Sequence, residues 1–255
     1  MLISIITATY NSEKTLEKTF ESVLNQKDTD FEYIIIDGNS NDNTVEIIKE
    51  YDSKFKEKGI KFNYISEPDK GIYDAFNKGI EQSSGKWISY LGSDDYYCSK
   101  DVTHVFSTKL RETPEVDWVY SKVKLLNEKG KELRVFNERW NWNNFKRHMY
   151  VPHAGSFHNR KYFLEYGFFD IHFKVAGDYE VLLRKNKDLK TYFVNFLSVN
   201  MMNSGISNDN LMEVLNEEAE AKLKNKVYSK HVIYIDKIIA YIKGLLRKKY
   251  YSLFR

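Results

Sequence analysis

The chain is poor in the residues that lock small secreted folds or hold a protein in a membrane. It has one cysteine, Cys98, in 255 residues, which excludes an intramolecular disulfide and any Cys-rich zinc site and fits a reducing cytosol. It has only three prolines, no low-complexity linker and no internal repeat, so the sequence offers no seam at which to divide it into several domains. No stretch reaches the ~18 apolar residues needed to span a bilayer. The opening "MLISIITATYNSEKT" has no basic segment and turns polar by Thr7, which reads as a core strand rather than a signal peptide. Neither sign of charge dominates: 39 Lys and Arg stand against 36 Asp and Glu, so the strongly basic signature of a nucleic-acid binder is absent. A cytoplasmic protein, at most peripheral to a membrane, is expected. Nothing in the sequence specifies an oligomeric state.

What the chain does have is apolar and aromatic. Hydrophobic residues make up 42% of it, with 19 Tyr and 16 Phe, enough for a large core and for aromatic-lined clefts alike. The first hundred residues alternate strand and helix. "LISIITATY" (2–10) and "FEYIIID" (31–37) are runs expected of strands buried on both faces, and "IKFNYIS" (60–66) and "KWISYLG" (86–92) follow them. Between them, helical spacing of apolar residues predicts helices over 13–25, 44–58 and 71–83. Strands joined by helical crossovers form a parallel sheet, and ligands of such sheets bind beyond the carboxyl ends of the strands. Thr9 to Asn11, Asp37 to Ser40, Glu67 to Lys70 and Ser93 to Asp95 are therefore expected at one edge. The adjacent carboxylates Asp94 and Asp95 repel each other, so they are either a solvated turn or a cation clamp. The second half is less regular. Residues 116–137 read as two strands around a turn at Glu128-Lys129-Gly130, residues 138–160 show no clean period, and short helices are predicted from Arg160 and over 178–188 before a last strand.

The segments "SIITATYN", "SVLNQ", "IIDGNSND", "EPDKGIYDAFNKGI", "YLGSDD" and "GDYEVLLR" follow one another in the order found in glycosyltransferase family 2. Over about residues 2–207 the chain resembles these inverting enzymes of GT-A fold, in particular those of bacterial polysaccharide biosynthesis. The resemblance implies an α/β architecture with a mostly parallel, Rossmann-like sheet flanked by helices. It divides the chain into a catalytic domain over 1–207, with a nucleotide-sugar half (1–97) and an acceptor half (98–207), and a helical tail over 208–255.

The chemistry of such a transfer asks for the same residue types. A nucleotide-sugar donor leaves as a diphosphate whose charge must be stabilised, and Mn2+ or Mg2+ takes one or two carboxylates together with substrate phosphates. Ser93-Asp94-Asp95 resembles the family's DXD-type motif, which implies Asp95 as the metal ligand and Asp94 as a contact to the donor ribose or sugar. Asp37 stands where the family places the carboxylate that reads the nucleobase, which favours a UDP donor, although many relatives carry a second acid where this chain has Gly38. Thr9 and Tyr10 resemble the wall of the nucleotide pocket, and Asp69 and Lys70 of "EPDKG" lie in reach of base or ribose. At Asp74 many relatives carry arginine; an acid favoured by the helix dipole explains this residue as well.

Inversion by single displacement also needs a base on the face opposite the leaving group. The family takes it from an acid opening a late helix, commonly written Glu-Asp. That position is Asp178 here, with Gly177 in place of the glutamate, Glu180 as runner-up and Arg184 as a structural residue. In relatives the loop "VPHAGSFHNR" faces the acceptor, which implies an acceptor contact for His153; its neighbour His158 brings no third ligand, so the pair is not a zinc site. "NSGIS" (203–207) resembles a loop that closes over the donor phosphates.

The implied function is transfer of a hexose or N-acetylhexosamine from a UDP sugar to a glycan or a polyprenyl-diphosphate-linked acceptor in surface polysaccharide assembly. One alternative is a nucleotidyltransferase, which would want a Gly-rich basic loop where this chain has "TATYNSEKT". The other is a nucleotide-sugar-binding scaffold with a dead site, against which intact Asp95 and Asp178 argue. In the tail, Ile235, Ile238, Ile239, Ile242, Leu245 and Leu246 follow helical spacing, and residues 228–255 carry seven Lys and Arg against the single acid Asp236. Such a helix either lies at the interface of an anionic membrane, which would place the protein at the inner face of the cell membrane, or packs on its own domain or a second copy.

Overall fold

The computed structural model describes residues 1–28, 30–203 and 211–253, apart from the side chains of 243 and 245–253. Strands β1 (Ile3–Thr9) and β2 (Phe31–Asp37) are buried almost throughout. They pair in parallel from Ile3 against Phe31 to Thr9 against Asp37. Strand β3 (Lys61–Ser66) adds a parallel, largely exposed edge beyond β2, and β4 (Trp87–Tyr90) lies parallel to β1 on its other side. The crossovers are α1 (Leu16–Leu24), α2 (Thr44–Glu57) and α3 (Ile72–Gln82). The register of apolar residues explains each helix. In α1, Leu16, Thr19, Phe20 and Val23 fall on one face and are the residues it buries.

Past β4 the sheet changes character. Strand β8 (Ser156–Asn159) runs antiparallel to β4, and the sheet continues through β6 (Trp118–Leu126) and β9 (Thr191–Met202) to β5 (Tyr96–Tyr97). Strand β7 (Glu132–Phe136) forms with β6 the hairpin expected over 116–137. The order is β3-β2-β1-β4-β8-β6-β9-β5, with half of the pairings antiparallel. Helix α4 (Val102–Glu112), the single turn α5 (Trp142–Phe145) and strands β5 and β8 have no counterpart in the sequence reading; the two strands span two and four residues, too few for a period to show. Helices α6 (Arg160–Tyr166) and α7 (Gly177–Leu183) fall where short helices were expected. Two helices follow, α8 (Leu211–Lys224) and α9 (Lys230–Leu253).

Strand alternation divides the core into two layers. Ile3, Ile5, Tyr33 and Ile35 face Phe20, Phe55 and Phe106, while Ile6, Ile34 and Ile36 face Tyr73, Phe76, Tyr90 and the aromatic residues of the second half. Phe20, Tyr33 and Phe55 meet edge to face with centroids 5.3–5.8 Å apart. Each such fully buried ring contributes about 1.5–3 kcal/mol relative to exposure. The tail is less enclosed. Ile233 is buried, whereas Ile235, Ile238, Ile239 and Ile242 are all exposed; Leu245 and Leu246, the rest of the expected stripe, lie outside the described side chains. Among the described residues no helix is long and apolar enough to cross a membrane.

Candidate functional site

The loops leaving β1, β2 and β4 come together at one edge of the sheet and bind one another. Asn11 donates its N–H to Ser40 Oγ at 2.8 Å and accepts from the N–H of Asn41 at 2.9 Å. The N–H of Ser12 donates to Thr44 Oγ1 at 2.8 Å, and the Ser12 and Ser93 hydroxyls meet at 2.9 Å. Asn11 and Asn39 both sit at positive φ, 50° and 64°, a region that asparagine tolerates better than most residues.

Asp37 ends β2 wholly buried. Its carboxylate accepts from the Ser40 N–H at 3.0 Å, the Ser40 hydroxyl at 2.5 Å and the Ser66 hydroxyl at 2.7 Å. A carboxylate has about four acceptor positions, so one is left for a ligand N–H. Beside it, Thr9 is buried and its hydroxyl has no hydrogen-bond partner among the described residues, while the Tyr10 ring is 59% exposed. Gly38 explains the missing second acid. A Cβ there would lie 2.7 Å from Asp69 Oδ2 and 3.5 Å from the Tyr10 ring. The Asp69 carboxylate, held by the Gly71 N–H at 2.9 Å, occupies the space that a side chain at 38 would fill. Lys70 is exposed. Asp74 caps the Lys70 N–H at 3.0 Å, and Asn77 clasps the backbone of Phe169 with two bonds of 2.9 Å; both side chains are thereby committed to structure.

Asp95 is a buried carboxylate in need of a positive partner. Burial and the neighbouring Asp94 push its carboxyl up to about 8 against the opposing N–H of Met202, which donates to Oδ1 at 2.9 Å. Asp95 Oδ2 and Asp94 Oδ1 both come within 3.0 Å of the point where a Cβ on Gly92 would stand, so the two oxygens share one small space. Among the described residues no Lys or Arg counters Asp95, and no group of three or more His, Cys, Asp or Glu is placed to hold a metal ion by itself. This donor set suits a hard cation that completes its shell with substrate phosphates, and it does not suit a cage built by protein alone. Of the small-residue loop expected over 203–207, only Asn203 lies among the described residues.

Asp178 opens α7 and is partly buried. Tyr73, from the first turn of α3, donates its hydroxyl to Oδ1 at 3.3 Å, and the Tyr179 N–H donates to the same oxygen at 2.8 Å. Burial raises the carboxyl to about 6; these two donors oppose the rise and Glu217 adds to it. Gly177 is the seat for this arrangement, because a Cβ there would meet the Tyr73 ring at 2.8 Å. A glutamate at this position would displace Tyr73. Glu180, the runner-up, is wholly buried and tied to Arg184 at 2.5 Å, Lys224 at 3.1 Å and Asn225 at 3.2 Å. Arg184 also donates to the carbonyls of Tyr166, Gly167 and Phe168, each at 2.8 Å. Both are scaffold residues.

His153 stacks on Tyr90 at 4.7 Å, and its Nε2 lies 3.0 Å from Nε2 of His158, which leaves only Nδ1 for another partner. Burial holds His153 down at about 3 and His158 well below the ordinary imidazole value, so both rings are neutral at physiological pH. Sequence reasoning placed Ser40 at this edge without a role and missed Tyr73, Ser66 and Glu217. A hydroxyl or carboxylate that acts across the fold leaves no local signal, and of the three only Ser66, the last residue of β3, was open to inference.

Residues 4–166 match the family described as Glycosyl transferase family 2, and the chain belongs to that family. A PGL/p-HBAD biosynthesis glycosyltransferase of Mycobacterium tuberculosis is 28% identical over 189 residues, 72% of this chain and 69% of its own. Among solved structures, S. aureus TarS 1–349 in complex with UDP-GlcNAc superposes with a TM-score of 0.68 at 20% identity, covering 91% of this chain and 69% of that one. The mannosyltransferase PcManGT from Pyrobaculum calidifontis, in complex with GDP-Man and Mn2+, superposes with a TM-score of 0.60 at 12% identity over 96% of this chain and 75% of that one. The chain thus has the GT-A fold of these glycosyltransferases.

Proposed function

We propose that this glycosyltransferase moves a hexose or N-acetylhexosamine with inversion from a UDP sugar to a glycan or lipid-linked acceptor of surface polysaccharide assembly. The observation that carries the reading is a pair of carboxylates shielded from water, Asp95 just past β4 raised to about 8 and Asp178 at the start of α7 raised to about 6. Support for UDP comes from the TarS complex and from the one open acceptor position of Asp37, which suits the ring N–H of uracil.

In this reading residues 1–97 hold the donor. Asp37 reads the base, the Thr9 hydroxyl and Tyr10 ring line its pocket, Asp69 and Lys70 reach base or ribose, and Asp94 bonds the ribose or sugar. Asp95 would hold Mn2+ or Mg2+, which supplies countercharge to the departing diphosphate. Residues 98–207 hold the acceptor, with His153 Nδ1 as one contact. Asp178 takes the proton of the attacking hydroxyl; a carboxyl near 6 is mostly ionised at neutral pH yet basic enough to accept a proton as the oxygen bonds to carbon. The exposed Ile235, Ile238, Ile239 and Ile242 in a segment of basic excess would rest on the anionic inner face of the cell membrane, near a polyprenyl-diphosphate-linked acceptor.

Calorimetric titration with a panel of nucleotide sugars, with and without Mn2+, tests the donor assignment. Mn2+-dependent binding of a UDP sugar is expected, and failure of every UDP-linked donor overturns it. Cosedimentation with vesicles containing anionic lipid tests the tail, and equal recovery with neutral and anionic vesicles would dismiss the membrane contact.

A further inference from the structure

The segment that carries Asp178 has little of its own to hold it. Ala176, which precedes α7, has no capping side chain of its own to offer. Instead a carboxylate arrives from α8. Glu217 accepts the N–H of Lys174 at 2.9 Å, of Val175 at 2.8 Å and of Ala176 at 2.9 Å. Three consecutive backbone donors converge on one carboxylate, a charge-assisted arrangement roughly twice as strong per bond as neutral ones. The same helix braces the surroundings: Glu218 accepts from the Met149 N–H at 3.4 Å, Lys222 donates to the carbonyl of Arg147, and Lys224 pairs with Asp170 at 2.7 Å. Helix α8 lies outside the residues that match the family, 4–166.

We propose that Glu217 is a positioning residue for the base, fixing the Lys174-Val175-Ala176 backbone that aims Asp178 and placing a negative charge beside it. The proposal rests on Asp178 being the base. The groups facing that carboxylate are Tyr73 from α3, the Tyr179 N–H on its own helix, and Glu217 and Glu218 from α8, with Lys222 countering Glu218. Of these Glu217 alone combines the backbone clasp with a charge that raises Asp178. Glu217 does not touch substrate in this account; it acts through geometry, and an error of 1 Å at a reacting group can cost about 100-fold in rate.

The test uses the full chain and Glu217→Gln, which keeps size and one acceptor oxygen but removes the charge. Titration of 13C-labelled aspartate by NMR, with the Asp178 signal assigned by its loss in Asp178→Asn, reads the carboxyl directly. In Glu217→Gln its midpoint is expected to move to lower pH. Release of UDP from UDP-GlcNAc is expected to fall at least tenfold in kcat while KM for the donor stays within twofold. An unmoved midpoint together with unchanged kcat overturns the proposal, as does a loss of activity matched by an equal loss of folded protein by circular dichroism. Near-normal UDP release in Asp178→Asn would instead sink the assignment of the base and leave the NMR coupling to be judged by itself.

Discussion

The proposed donor edge and the proposed base are built in opposite ways. At the donor edge, three loops that follow parallel strands bind one another through Asn11, Ser12, Ser40 and Ser93, so the site is held by the strand ends that create it. Asp178 belongs to a short helix whose approach is clasped by Glu217 from α8 and whose carboxylate is met by Tyr73 from α3. The first construction is local to a sheet edge; the second depends on elements far apart in sequence. Donor binding and turnover should therefore fail separately, and the following changes probe how separate they are.

The largest effect is expected from Asp178→Asn. Loss of a general base costs on the order of 10²–10⁴-fold in rate, so kcat should fall by that factor while calorimetric affinity for the UDP donor is retained. A parallel loss of donor affinity would break the division between the two regions. Next is Asp95→Ala at the donor edge. Mn2+-dependent donor affinity should drop by at least the order of 10–100-fold that loss of an outer-shell partner costs a metal site, with the NMR titration of Asp178 unmoved; a shifted midpoint would show that the regions are coupled.

Acidity sharpens the same contrast. Asp178 must be ionised to take a proton, and its carboxyl lies at about 6. Well below that value kcat should fall about tenfold per pH unit, and it should level off above it. A kcat profile flat from pH 5 to 8 would contradict the role of Asp178.

The two regions also differ in how far they could be read from sequence. Strands β1 and β2 are runs of Ile, Tyr and Phe buried on both faces, and residues just past such strands are forced to one edge, which is why Asp37, Asp94 and Asp95 could be placed by pattern. Asp178 came from resemblance, since an acid opening a short helix looks like an ordinary cap. Gly177 read as a departure from the family, yet it is the space that Tyr73 needs. Glu217 sits among Glu213, Glu218 and Glu220 on one helix, and periodicity cannot tell a carboxylate that clasps a distant backbone from one that faces water. β5 and β8 are short strands paired to β9, β4 and β6, partners that no local pattern names.

The smallest expected effect tests the donor edge at its finest grain, Gly38 and Asp69. The family resemblance implies a second acid after Asp37 in many relatives, whereas this chain brings Asp69 to within 2.7 Å of where the Cβ of residue 38 would be. If Asp69 does the work of that missing acid, one carboxylate fits the space and two do not. Gly38→Asp should then weaken UDP binding by a few-fold to tenfold, about 1 kcal/mol, because two like charges compete for one site. Asp69→Gly should weaken it comparably by emptying the site. The double variant should bind UDP better than either single one, since it restores one carboxylate to the shared space. All three leave Asp178 and Glu217 untouched, so kcat at saturating donor should hold. Additive losses in the double variant would mean that Asp69 merely packs against Gly38 and that Asp37 reads the base without it.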